Sequence, residues 1–173
     1  MNTNRTALAA ENCAVRLAVA GDLPELRRIY AAAREFMSAH GNASQWDANF
    51  PPDGLLLAHI SRKELYVFAE QNGQLHAAFA LVRGKELAYA KIDGSWLSAD
   101  PYLTVHRVAS DGAMRGVFSQ IVKFAEKTCP HLRADTHENN APMRAALLKN
   151  GFSYRGTIVL SDGSPRLAYE KII

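Results

Sequence analysis

Apolar residues recur along the chain with two periods, which divide it into strands and helices. After a polar, alanine-rich start, the apolar stretch from Ala14 to Val19 predicts a first strand. A long amphipathic helix follows, with Asp22 as a candidate cap and an end near His40. One face of this helix carries apolar side chains at a helical spacing: Leu23, Leu26, Tyr30, Ala33 and Met37.

The rest of the chain alternates strands and helices after a loop over 41–53. Strands are predicted over 65–70, 75–82, 102–109, 132–136, 152–160 and 166–172, and helices over 55–61, over 116–128 and between Pro142 and Gly151. The strand, helix, strand connection over 102–136 predicts one parallel pair. We therefore expect a mixed α/β domain over 13–173, with a mostly antiparallel sheet of about seven strands flanked by helices, after a flexible lead over 1–12.

Composition narrows the class of protein without naming a function. The 173 residues are 48% apolar and 21% charged, which is ordinary globular usage. A net charge of +3 favours anionic ligands mildly, but no dense basic run predicts nucleic-acid binding. No apolar run has membrane-spanning length, so we expect a cytoplasmic protein. Cys13 and Cys129 have no zinc-binding or disulfide pattern, so no metal is expected.

The most informative stretch runs from Val105 to Gln120, where a predicted strand leads through a small-residue turn into a helix. Backbone N–H groups at the positive end of a helix suit a phosphate or pyrophosphate. Gly112 and Gly116 would equally serve as turn and helix-start residues without any ligand. The turn by itself leaves both interpretations open.

Three stretches, taken with the order of elements, resemble the GNAT acyltransferases over nearly the whole chain. Arg115-Gly116-Val117-Phe118 falls at the end of that family's acyl-CoA loop pattern, after its fourth strand. Asn140, a helix and then Gly151-Phe152 match the family's ending. The segment 41–46 and the stretch 135–140 look like a bacterial subgroup of the same superfamily.

The resemblance implies an N-acyltransferase that passes an acyl group, in the first place from acetyl-CoA, directly to an amine in a ternary complex. The acceptor would be a small molecule or a peptide amino group, and acyl-CoA would lie where the sheet splays between its central parallel strands. The residues implied to bind the pyrophosphate are Met114, Arg115, Gly116, Val117, Phe118 and Ser119. Those implied to pair with the pantetheine arm are Val108, Ala109 and Asn140.

Two residues depart from the family pattern. Phe118 stands where the family usually has Gly or Ala, and we expect its ring to point into the core. Leu147 stands where the family often has a general-acid tyrosine. One alternative is therefore a degenerate, non-catalytic acyl-CoA-binding domain. Another is a domain that binds no coenzyme A and assembles through an edge strand, as in a homodimer.

Candidate catalytic residues are His137 and His106, because histidine titrates near neutral pH and both lie on predicted strands. The competing interpretation for each is a capping or surface residue, which is the more common role of a lone histidine at a strand end. Asp135 shares a strand face with His137 and is a possible partner for it, or else for Arg107 or Arg133.

Three aromatic residues, Tyr30, Trp46 and Phe50, are candidates for the wall of an acceptor pocket. Trp46 and Phe50 lie in the early loop, and loops placed on a rigid scaffold often carry binding residues. The competing interpretation is that these rings close the core beneath the loop.

Overall fold

The computed structural model describes residues 13–84 and 86–173, so the lead predicted over 1–12 lies outside the described residues. The strands are β1 Cys13–Leu17, β2 Leu65–Glu70, β3 Leu75–Arg83, β4 Ile92–Gly94, β5 Leu103–Ser110, β6 His131–Thr136, β7 Ser153–Val159 and β8 Pro165–Ile172. The helices are α1 Leu23–Ala39, α2 Asp53–Ser61, α3 Val117–Glu126 and α4 Ala141–Lys149, with short 3-10 turns at Ala20–Asp22 and Leu87–Ala90. The predicted mixed α/β class is confirmed.

The strands form one sheet in the order β1-β2-β3-β5-β6-β8-β7-β4. Every neighbouring pair is antiparallel except β5 and β6, which are parallel as predicted. The sheet has eight strands rather than about seven because β4 pairs with β7. Gly94 and Gly156 face each other there, and a Cβ on either would lie 2.1 Å from a backbone oxygen. A strand of three residues is too short to show a period in the sequence.

Two apolar clusters cover the two faces of the sheet. Because neighbouring strand residues point to opposite faces, Val67 belongs to the cluster beneath α1 and α2, whereas Phe68 belongs to the cluster beneath α3 and α4. Phe118 packs in the second cluster with its ring centroid 6.2 Å from that of Phe152, so its ring does point into the core. Asp22 precedes α1 as predicted, but its carboxylate accepts the Val19 N–H at 2.8 Å and does not cap the helix.

The parallel pair separates soon after it begins. Leu103 pairs with Leu132 and Thr104 with Arg133, and beyond these two pairs β5 and β6 diverge. Past these two pairs, the edges of β5 and β6 that face each other border a cleft. No helix within 13–84 and 86–173 is long and apolar enough to span a membrane.

Candidate active site

The cleft between β5 and β6 has a volume of about 980 Å³. It reaches the first turn of α3 at Phe118 and the start of α4 at Asn140. Its other walls come from the loop over 44–50, the segment over 86–89 and the hairpin over 159–166. β5 contributes Val105, His106, Arg107 and Val108, and β6 with the residue after it contributes Ala134, Asp135, Thr136 and His137.

A bulge in β5 shapes this wall. Ala80 pairs with His106 but Ala78 pairs with Ala109, so β5 has one residue more than β3 across this step. Arg107 takes up the difference with a φ of 56°, a left-handed conformation that costs a residue with a side chain about 1–3 kcal/mol. The hydroxyl of Tyr30 donates to the Arg107 carbonyl at 2.8 Å and helps to hold the bulge.

Tyr30 therefore lies behind the cleft and not in its wall. Its side chain is buried, and burial raises the pKa of its hydroxyl, which stays a hydrogen-bond donor. Trp46 and Phe50 do line the cleft, with ring centroids 5.5 Å apart. Trp46 also packs edge-on against Tyr30 and contacts the core under α1, so this ring both walls the cleft and closes the core.

His106 lies between two carboxylates in the cleft. Its Nε2 is 3.3 Å from Glu86 Oε2, and its Nδ1 is 3.9 Å from Asp135 Oδ1. The hydrogen bond with His106 lowers the pKa of Glu86, so that carboxylate is ionised at neutral pH.

Tyr89 completes this cluster by donating from its hydroxyl to Asp135 Oδ1 at 2.7 Å. Burial and the nearby Asp135 raise the pKa of Tyr89 well above its ordinary value, so it remains protonated. The sequence reasoning missed both Glu86 and Tyr89, because the segment over 84–95 has no period and no recognisable motif. An acidic residue and an aromatic residue within an unassigned segment are too common to single out.

His137 lines the cleft at the end of β6, but its Nδ1 accepts the N–H of Asn139 at 3.1 Å. A neutral ring with an accepting Nδ1 carries its proton on Nε2 and is a donor there. The sequence suggested His137, Arg107 or Arg133 as the partner of Asp135. In the structure Asp135 instead accepts from Tyr89 and lies near His106, while Arg133 pairs with Glu170.

The turn before α3 leads into a helix start whose first N–H groups have no intrahelical partner. Gly116 is the N-cap with a φ of 70°, and the helix has no side-chain cap, so the first-turn N–H groups of Val117, Phe118 and Ser119 have no partner within the helix. Arg115 is exposed beside them, whereas Met114 is buried. Uncapped N–H groups at a helix start, next to an arginine, fit a pyrophosphate.

Asp111 fixes the shape of this turn. Its Oδ1 accepts the Ala113 N–H at 3.0 Å, while its Oδ2 lies 3.0 Å from His76 Nδ1 and 3.1 Å from the Arg28 guanidinium. A carboxylate held on both sides gives the turn a defined geometry before any ligand arrives.

The other cofactor-binding candidates divide between the cleft wall and the core. Val108 lines the cleft, whereas Ala109 is buried in the cluster beneath α1. Asn140 caps α4 by accepting the Met143 N–H at 3.2 Å, and its Nδ2 donates to Gln45 at 2.9 Å. Asn140 thus joins the start of α4 to the loop that carries Trp46.

The architecture can be compared with known proteins. No family model and no curated protein matches the chain. Among solved structures, a GNAT-family acetyltransferase from Streptococcus agalactiae is 30% identical, with a TM-score of 0.82 over 93% of this chain and 95% of that one. The chain belongs to the GNAT family of acetyltransferases. The splayed parallel pair and the glycine turn before α3 are the two stretches that the sequence resemblance associates with acyl-CoA.

More distant structures share the GNAT fold. An acetyltransferase of the family from Listeria monocytogenes is 21% identical with a TM-score of 0.69, over 93% of this chain and 95% of that one. The structure of yncA from Salmonella typhimurium, which holds its cofactor acetyl-CoA, is 14% identical with a TM-score of 0.56, over 93% of this chain and 94% of that one. At these identities the likeness concerns the fold alone.

Proposed function

We propose that this GNAT protein is an N-acetyltransferase that passes the acetyl group of acetyl-CoA directly to the amine of a small molecule or peptide, both bound in the β5–β6 cleft. The observation that carries the proposal is the layout of the cleft. It reaches the uncapped first turn of α3 at Phe118 and contains His106 between Glu86 and Asp135.

Three parts of the chain would hold the acetyl donor, which supplies a thioester for attack by the amine. The N–H groups at the start of α3 and the exposed Arg115 would face the pyrophosphate. Beyond Thr104 the β5 edge has no β6 partner, so its backbone groups are available to the amides of the pantetheine arm. An N–H of this edge near Val108 would polarise the thioester carbonyl.

His106 would act as the general base. If its neutral ring donates from Nε2 to Glu86, Nδ1 is left as the acceptor for the amine proton. Asp135 lies 3.9 Å from that Nδ1, beyond hydrogen-bond distance but close enough to stabilise the imidazolium formed. His137 is the second candidate base, but its Nδ1 is already occupied by the Asn139 N–H.

A second candidate function, acyl-CoA binding without catalysis, is favoured by one observation. Leu147 is fully buried and lines the cleft at the position where the resemblance implies a general-acid tyrosine. A leucine cannot protonate a leaving thiolate. Direct transfer still gains much of its rate from proximity and from the polarised carbonyl, so we favour the catalytic function.

The test is calorimetric titration of acetyl-CoA into the wild type, Arg115→Ala and, as control, Arg83→Ala, which removes another exposed arginine at the end of β3. One lost charged hydrogen bond of about 1.5 kcal/mol predicts a Kd about tenfold higher for Arg115→Ala. The control should bind like the wild type.

Release of free thiol is then measured with a panel of amines. Thiol release that depends on the amine supports the acetyltransferase. Binding without release from any amine supports the second candidate, and the absence of binding to the wild type contradicts both.

A further inference from the structure

The cleft contains a cation that takes part in no ion pair of residues 13–84 and 86–173. Arg107 lines the cleft, and no ion pair or hydrogen bond of its guanidinium occurs within residues 13–84 and 86–173. Its Nε is buried and has no acceptor, and the guanidinium carbon lies 5.6 Å from the centroid of the Phe50 ring. Buried donors are normally satisfied, and an arginine remains charged at every physiological pH. An anion bound in the cleft would give this donor an acceptor.

The left-handed backbone at position 107 does not favour an arginine, so the reason for this residue lies in its side chain. Arg107 is one of two residues with a side chain and a positive φ among those described, the other being Lys63. Glycine would adopt this conformation without strain, and asparagine with less strain than arginine. The bulge itself therefore does not require an arginine.

Charges of opposite sign lie side by side in the same cleft. His106 precedes Arg107 on β5 and lies between Glu86 and Asp135, and the charge of Arg107 contributes to the lowered pKa of Glu86. The cleft thus offers a carboxylate, Glu86, beside the proposed base His106, and a cation, Arg107, directly after that base in the chain.

This inference rests on the proposed function and names the acceptor class. We infer that the acceptor is a small amino acid-type zwitterion, whose amine lies against Glu86 and His106 and whose carboxylate pairs with Arg107. The planar guanidinium fork matches a carboxylate in a bidentate manner. Trp46 and Phe50, which line the same cleft, would pack against an apolar or aromatic side chain of the acceptor.

The reaction with such an acceptor balances without another reactant. The amine nitrogen forms a bond to the acetyl carbon, the carbon–sulfur bond breaks, and coenzyme A leaves as the thiol. The ammonium of the zwitterion loses two protons in all. The first passes to His106 and on to solvent, which leaves the neutral amine that attacks, and the second leaves the nitrogen after the attack and is taken up by the thiolate. The carboxylate on Arg107 is unchanged, so the N-acetyl amino acid retains that contact.

The experiment compares each amino acid with the amine that lacks only its carboxylate, such as phenylalanine with phenethylamine. For the wild type we expect kcat/KM to be at least about tenfold higher with the amino acid, as for one charged hydrogen-bonded pair. In Arg107→Gln this ratio should fall to about one, and Arg107→Lys should restore part of it. The KM for acetyl-CoA should stay the same, and thermal denaturation verifies that each variant is folded.

A second readout needs no turnover. N-acetylphenylalanine and phenylalanine are titrated into the wild type and Arg107→Gln without acetyl-CoA, and binding only to the wild type supports the inference even if no amine is acetylated. Three results would overturn it: equal ratios in the wild type and Arg107→Gln, no binding of either carboxylate to the wild type, or an Arg107-dependent preference for succinyl-CoA over acetyl-CoA instead. The last would assign the carboxylate to the acyl group.

Discussion

Removing the charge of a buried carboxylate on β8 is expected to destabilise the fold. Glu170 is fully buried, and it accepts hydrogen bonds from His131 Nε2 at 2.6 Å, from Arg133 Nε at 2.9 Å and from the Leu97 N–H. Burial would raise the pKa of Glu170, but these three donors outweigh it and lower the pKa. The group is therefore a buried anion that depends on its partners.

Arg133, the cationic partner, is equally constrained. Its guanidinium carbon lies 4.0 Å from the Trp96 ring centroid and 3.9 Å from that of Tyr102, so the group is sandwiched between two aromatic faces. It also donates to the Ser98 carbonyl at 2.6 Å. The Arg133–Glu170 pair thus holds in place the segment from Trp96 to Tyr102, which leads into β5, the strand that carries the candidate site.

Glu170→Gln keeps the shape of the side chain but removes its charge. Removing one partner of a buried ion pair costs about 3–5 kcal/mol, because the other charge stays buried without compensation. The amide oxygen of glutamine can still accept hydrogen bonds from two of these donors, so we expect the lower end, about 3 kcal/mol. For a chain of this size that corresponds to a fall in Tm of about 6–12 °C.

The assay is urea denaturation followed by circular dichroism, with Glu126→Gln as the matched control. Glu126 pairs with Lys171, but the two side chains are 26% and 20% exposed, so the control should lose about 0–1 kcal/mol. If Glu170→Gln is no less stable than Glu126→Gln, the buried charge does not hold this segment and the reasoning is wrong.

Two further predictions concern pH and the turn before α3. The pKa of Glu170 is lower in the folded than in the unfolded state, so its contribution to the free energy of unfolding is present above the unfolded pKa of about 4.3 and is lost as pH falls through the folded pKa. In urea denaturation the wild type and Glu170→Gln should therefore converge in stability below about pH 4. A constant difference between them down to pH 2 would contradict this. Asp111→Ala removes the acceptor of the Ala113 N–H and loosens the turn before α3. Steady-state kinetics should then give a KM for acetyl-CoA about tenfold higher, with little change in kcat. An unchanged KM would show that the turn keeps its shape without Asp111.

Elements with a long, regular period could be predicted from the sequence. In α1, four of the five residues on the predicted face are buried, and Ile29 joins them because a wide apolar stripe faces the sheet. The parallel pair followed from one strand, helix, strand connection. β4 could not be predicted, because its pairing rests on the close approach of Gly94 and Gly156 and not on side-chain pattern.

The candidate site was only partly predictable, because its contacts join distant parts of the chain. His106 and Asp135 could be singled out as residue types, but Glu86 lies 20 residues before His106, and Tyr89 lies 46 residues before Asp135. Nothing local in the segment over 84–95 shows that it folds back along the cleft. The partners of a titratable group decide its role, and those partners depend on the order of strands in the sheet.

The bulge at Arg107 is where fold and chemistry are joined, and the sequence hides it. Residues 102–109 read as one regular strand in the sequence, and the extra residue exists only relative to β3, where Ala78 and Ala80 pair with Ala109 and His106. It lies in the part of β5 that has already lost its β6 partner, so the bulge disturbs only the ladder to β3. A strained residue that persists must be held by its surroundings, here by the hydroxyl of the buried Tyr30. The same distortion accounts for His106 and Arg107 both lining one cleft, although they would point to opposite faces of a regular strand, and the proposed amino acid acceptor needs both of them there.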